Sequence, residues 1–270
     1  MLPIYRLRDG RKTLAKNDAV FDACAEIFAN QQALVMFPEA NHNLKRRVRP
    51  LSKGFTRILE RGLMNYPDLD IQIVPVGLNY QSATRFPDEV LVYYGKAISV
   101  KELFDENKNV FVERVKERVT TQLKTLTTHI EDLEHYDQMV NQLEAVQVDF
   151  LRPQETNRRI AAMTSEGLNP LQAELKPERP NLWSRIFNII NMPMILLWRQ
   201  FVLPKIKEAE FIDTFRFAFG LLIFPVYGVL LHFLISAIAN TSIALLVVLG
   251  LIAFNVLYIK NKKRPVRGSF

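Results

Sequence analysis

Two consecutive stretches near the C-terminus leave this chain few folds to choose from. Phe217 to Ala239 (FAFGLLIFPVYGVLLHFLISAIA) contains no Asp, Glu, Lys or Arg, and neither does Thr241 to Ile259 (TSIALLVVLGLIAFNVLYI). A helix that crosses the hydrocarbon core of a bilayer needs about 20 mainly apolar residues, and both runs are near that length. Only Asn240 or a neighbour remains for a turn, so the pair predicts a transmembrane helical hairpin within 214–260, its outer ends on one side of the membrane. The tail KNKKRPVRGSF and the residues Lys205, Lys207 and Arg216 make those ends basic. By the positive-inside tendency they face the cytoplasm, as in a bacterial-type inner membrane. A very apolar buried hairpin in a soluble protein is the competing reading. Within the first run, Pro225 is expected to kink the helix. His232 is expected to hydrogen-bond a neighbouring helix rather than mark a functional site.

The segment before the hairpin, residues 181–204, is apolar but broken by Arg185, Pro193 and Arg199, with Trp183 and Trp198 near its ends. Tryptophan and arginine around an apolar middle suit the membrane interface. A helix packed on a soluble domain is the alternative. No run near the N-terminus is long enough for the core of a secretory signal.

Up to about Pro180 the pattern is that of a soluble protein. The strand-like segments LPIYRL, ALVMFP, IQIVPVGLNY and EVLVYYGKAI are spaced by helix signals at Asn17–Asn30 and Leu51–Met64. Strands spaced by helices predict an α/β domain over residues 1–100, an incomplete sheet with flanking helices. Residues 101–151 turn helical and highly charged, a solvated helical extension. Residues 152–180 carry four prolines among polar residues and read as a linker. The one cysteine, Cys24, rules out an internal disulfide and reads as a core residue.

The end of the second strand-like run raises the question of function. Residues 37–43 read FPEANHN, and LKRRVRPLSKGF follows at once. Sites in α/β domains gather at strand ends. Glu39 beside Lys45, Arg46, Arg47, Arg49 and Lys53 offers an acceptor among cations, which suits a phosphate monoester bearing a hydroxyl. A solvated basic face touching anionic membrane lipids is the competing reading. Nucleic-acid binding is disfavoured, because a membrane hairpin is present and aromatics do not interleave the cations.

At these residues the sequence resembles the phospholipid/glycerol acyltransferase family, whose familiar members are lysophosphatidic acid acyltransferases. Phe37, Pro38 and Glu39 match the family's third block, while Ala40, Asn41, His42 and Asn43 depart from it. Leu51-Ser52-Lys53-Gly54-Phe55 is similar to a later Phe-Lys-Lys-Gly-Ala, Ile73-Val74-Pro75-Val76-Gly77 to the fourth block, and Pro3-Ile4-Tyr5-Arg6 to the second. The matches cover about residues 2–95, in the family's order. The resemblance implies acyl transfer from acyl-CoA or acyl-carrier protein to the hydroxyl of glycerol phosphate or a lysophospholipid, with no cofactor and no metal. It carries acceptor binding to Arg6 and Glu39, and less directly to Lys53 and His42. His42 stands where the family has an arginine; Arg8, Arg46 and Arg49 are the cations that would replace the missing charge.

The family's first block, His-x-x-x-x-Asp, supplies a general base and the carboxylate that orients it. None of the four histidines has Asp at the fifth following position, so no catalytic residue is assigned. His129 has a carboxylate, Glu134, at that spacing, but it lies beyond the fourth block in what reads as a charged helix shared with His135. Two expectations follow: an N-terminally truncated acyltransferase, inactive as this chain, or a catalytically dead membrane-associated relative that binds lipid or a partner.

Overall fold

The computed structural model of the chain describes residue 5 and residues 16–39, 43–82, 84, 88–166 and 182–261. Arg6, Arg8 and His42 lie outside these residues, as do most of the LPIYRL segment and the basic tail. The chain divides into two compact units.

The first unit comprises residues 1–79, 90–134 and 152–165. It begins with α1 (Lys16–Ala29) and α2 (Gly54–Asn65). In α2 the positions Phe55, Ile58, Leu59, Gly62 and Leu63 repeat at helical spacing, and all are buried. Phe21 and Cys24 of α1 pack on Ile58. Burial raises the pKa of the Cys24 thiol above its ordinary value, in keeping with its core position. Asn17 and Asp18, the residues expected to cap this helix, both lie within α1. The Asn17 amide bonds the backbone N–H and C=O of Tyr5, each at 2.9 Å.

Short strands follow: β1 (Gln72–Ile73), β2 (Val76–Tyr80), β3 (Val90–Tyr94) and β4 (Ile98–Ser99). They form two two-stranded ladders, β1 with β4 antiparallel (Gln72 opposite Ser99) and β2 with β3. The apolar run IQIVPVGLNY is therefore two strands, divided at Val74-Pro75. Proline has no N–H to give a ladder. After the one-turn α3 (Val100–Leu103) comes α4 (Lys108–Leu126), whose first turn is capped by the Asn107 side chain accepting from Asn109 N–H at 3.0 Å. Phe111, Val115, Val119 and Leu123 of α4 close the core over Leu51, Phe55, Leu59, Leu63, Ile71, Ile98 and Val100.

Two expectations change here. The ALVMFP segment is extended but joins no ladder among the described residues. It still alternates: Leu34 and Met36 lean on the core, while Val35 and Phe37 are exposed. The segment read as a polar linker is helical at its start, as α6 (Pro153–Glu166), because Pro153 sits at the first helical position, where it is tolerated.

The second unit comprises residues 80–89, 135–151 and 166–270. α5 (Tyr136–Ala145) buries Tyr136, Met139 and Leu143. The segment expected at the membrane interface is α7 (Leu182–Ile190), then α8 (Met192–Leu197), a wider π-helical turn (Trp198–Val202) and a tighter 3-10 turn (Leu203–Lys205). The two charge-free runs are α9 (Ile212–Ile238) and α10 (Thr241–Asn261). They pack side by side, and Asn240 Oδ1 accepts from Ile243 N–H at 2.9 Å to cap α10. Both are long and apolar enough to cross a membrane, as the sequence predicts, and they give the chain a membrane association.

Candidate functional site

Of the four residues expected to bind the acceptor, Glu39 and Lys53 are described, and one hydrogen bond brings their segments together. Ser52 N–H donates to Pro38 C=O at 2.9 Å. The Phe37-Pro38-Glu39 turn is thereby tied to the start of α2, with Glu39 half-buried and Lys53 exposed. Lys53 occupies the N-cap position of α2. No side chain caps this helix and its first turn carries no acid, so its own residues leave the positive end of its dipole uncompensated. Thr56 Oγ1 donates instead to the Lys53 carbonyl, at 2.9 Å.

The basic loop between them is held from the far end of α4. Val48 N–H donates to His129 Nδ1 at 2.9 Å, and Ile130 N–H donates to Arg46 C=O at 2.9 Å. With Nδ1 accepting, the His129 ring proton lies on Nε2 and points at Glu131 Oε2, 2.7 Å away. Glu131 also takes Lys124 Nζ at 2.8 Å and the Arg47 guanidinium at 3.3 Å. The Lys124 ammonium, ahead of His129, holds the Glu131 carboxyl down to about 2.

His129 was expected in a charged helix. It lies instead in the turn after α4, which ends at Leu126. That turn is fixed by two asparagines. Asn79 Nδ2 donates to Leu126 C=O at 2.8 Å, and its Oδ1 accepts from Thr128 N–H at 3.3 Å. Asn157 Nδ2 donates to the carbonyls of Lys124 and Thr127, and its Oδ1 accepts from His129 N–H at 2.9 Å. Both nitrogens of His129 are thus engaged, one by a backbone donor and one by a carboxylate. It is a clamp on the basic loop, not an open general base. Sequence reasoning missed Asn79 and Asn157, since an asparagine that satisfies buried backbone has no spacing signature.

The fourth-block residue Gly77 has a packing role. A Cβ built there would lie 2.5 Å from the Leu126 carbonyl oxygen and 2.9 Å from its carbon, so only glycine lets β2 approach the end of α4. β2 accordingly turns Gly77 and Asn79 inward and Val76, Leu78 and Tyr80 outward.

No family model matches the chain and no solved structure matches it. It is similar to glycerol-3-phosphate O-acyltransferase 1 of Saccharomyces cerevisiae (strain ATCC 204508 / S288c), 32% identical over 121 residues. That match takes in 43% of this chain and only 16% of the yeast protein's length.

Proposed function

We propose that this chain carries the acyl-acceptor region of a membrane-bound glycerolipid acyltransferase. The acceptor is glycerol phosphate or a lysophospholipid, and acyl-CoA or acyl-carrier protein is the donor. The observation that carries this reading is the Ser52–Pro38 hydrogen bond. It ties the turn that carries Glu39 to the start of α2; in this reading the Lys53 cation and the helix end would suit a phosphate and the Glu39 carboxylate a hydroxyl. Similarity to a yeast protein named for acylating glycerol 3-phosphate supports the same acceptor class. Arg6 and His42 complete the proposed acceptor contacts from the resemblance alone.

The chain as given contains no His-x-x-x-x-Asp, and His129 has no free ring nitrogen to take a hydroxyl proton. A second reading is that the chain binds lipid or a partner without turnover. A general base contributes about 10²–10⁴-fold, so membranes bearing this chain are expected to acylate glycerol 3-phosphate or lysophosphatidate from acyl-CoA at the background rate. Robust turnover that Glu39→Gln abolishes would establish the enzyme and require another base. Turnover indifferent to Glu39→Gln would remove the assignment of this site.

The positive-inside tendency places the Glu39 region and the C-terminus on the cytoplasmic side of the membrane. The bacterial-type inner membrane gains no support from the similar protein, which is from yeast.

A further inference from the structure

We infer that the bent pair Leu182–Ile190 and Met192–Lys205 stays within one lipid leaflet, near the outer ends of the α9–α10 hairpin, its first arm close to the membrane plane, its second arm rising beside α9, and its free apolar face against acyl chains. The inference rests on the hairpin spanning the membrane.

Contacts with the hairpin fix both the depth and the direction of the pair. Trp183 meets Phe254 (ring centroids 6.3 Å apart), Phe187 stacks on Tyr258 at 4.3 Å, and Asn191 Nδ2 donates to Asn255 Oδ1 at 2.8 Å in a buried contact. From Trp183 to Asn191 the helix advances about 12 Å at 1.5 Å per residue. Their partners on α10, with Tyr258 between them in order of contact, all fall within Phe254–Tyr258, about 6 Å of that helix, and the first and last are only about 1.5 Å apart along it. So α7 crosses α10 steeply instead of running beside it. If α10 tilts from the bilayer normal by the usual ~20°, α7 lies near the membrane plane. Asn255 stands about 7.5 Å inside Lys260 along α10, the depth of interfacial helices.

The second arm runs outward. Tyr227 Oη donates to Ile190 C=O at 2.9 Å, next to the 73° break, and Trp198 packs on Phe219 at 5.5 Å with the Arg216 guanidinium 5.8 Å from its ring. Phe219 is only about 4.5 Å inside Arg216 along α9. A third span would have to follow the hairpin toward Asn240, and the arm heads the other way.

The side chains agree. On a helical wheel of α7, Ser184, Arg185 and Asn188 share one arc and the remaining residues form a wide apolar arc. Phe187 and Trp183 engage the hairpin from one edge of that arc, while Leu182 and Ile189 on its other edge stay exposed, as do Met192, Leu197 and Phe201 beyond the break. The hairpin against which this arm packs is itself apolar and exposed within the chain. Lipid is therefore its occupant.

The chain has two tryptophans, Trp183 and Trp198, so the native protein carries its own depth probes. In phosphatidylcholine/phosphatidylglycerol vesicles, Trp183→Phe and Trp198→Phe each leave one reporter. Lipid brominated near the carbonyls should quench both about twofold more than lipid brominated near the chain ends, and aqueous iodide should quench Trp183 little. Strong iodide quenching without bromolipid quenching would overturn the inference in favour of a helix outside the membrane. Maximal quenching of either tryptophan by the deep lipid would overturn it in favour of a third span. Leu249→Trp in the double Trp→Phe background separates the premise: its quenching should be greatest with deep bromine, and failure there would refute the membrane hairpin itself.

Discussion

The turn at Glu39 and the hairpin of α9 and α10 are ordered by opposite means. Around Glu39, few residues are regular, and position is set by named polar bonds: Ser52 to Pro38, Val48 to His129, His129 to Glu131, and Asn79 and Asn157 to the end of α4. The hairpin is regular throughout and apolar on every side. None of the most apolar window of the first helix, and 17% of that of the second, is buried within the chain. One region depends on specific partners within the protein, the other on its solvent. Mutations should therefore act locally and by geometry in the first, and by transfer free energy in the second.

The largest expected effect follows from that contrast. Leu249 is exposed near the middle of α10. Leu249→Arg should disfavour membrane insertion by about 2.5–3.5 kcal/mol, read as the inserted fraction in a translocation assay. The same new charge at Met64, exposed on α2, should change stability by less than about 0.5 kcal/mol. Equal effects at the two sites would erase the distinction.

Next comes Gly77→Ala, where the added carbon meets backbone that a rotamer change cannot move. Denaturant unfolding in detergent should show a loss of about 1–3 kcal/mol, while the fluorescence depth profile of Trp183 and Trp198 stays as in the wild type.

His129→Ala should cost about 1–3 kcal/mol, because it leaves the Val48 N–H without its acceptor. Hydrogen exchange sharpens the test. The Val48 amide should lose protection in this variant while the amides of α2 keep theirs; unchanged protection at Val48 would refute the clamp.

The smallest effect concerns acid. The Glu131 carboxyl is held to about 2 when folded, against an ordinary 4.5. A depressed carboxyl stabilises the fold above its unfolded pKa, and that contribution fades as pH falls from about 4.5 toward 2. Glu131 is exposed, so solvent screening limits the effect to under about 1 kcal/mol. Glu131→Gln should flatten the stability profile in that window, measured by thermal unfolding between pH 2 and 5; an unchanged acid slope would leave the ion cluster without energetic weight.

What could be read from sequence divides along the same line. The hairpin was legible almost to the residue, because a charge-free run near bilayer length has few other uses. The α2 face was legible from its spacing. The ALVMFP run reads as a strand because it is short and apolar throughout, yet an apolar run does not guarantee a partner for the backbone. Glu39 and the nearby cations were legible as a cluster of residue types, but the Ser52–Pro38 bond that ties the Glu39 turn to the start of α2 belongs to backbone geometry. The His129 clamp depends on a side chain meeting the backbone of a residue 81 positions earlier, and no local pattern announces it. Asn255 did leave a trace, as an amide inside the charge-free run of α10, the kind of residue that usually meets a polar partner.

The central claim is that the turn at Glu39 binds an acyl-acceptor phosphate, and binding tests it more directly than turnover because it needs no general base. Calorimetric titration of the nanodisc-embedded chain with glycerol 3-phosphate should give saturable binding. Loss of a charge-assisted hydrogen bond costs about 1.5–3 kcal/mol, so Glu39→Gln should weaken binding roughly 10- to 150-fold, and Lys45→Ala, farther along the basic loop, by less than about fivefold. Equal affinity for the wild type and Glu39→Gln, or no binding to either, would contradict the claim.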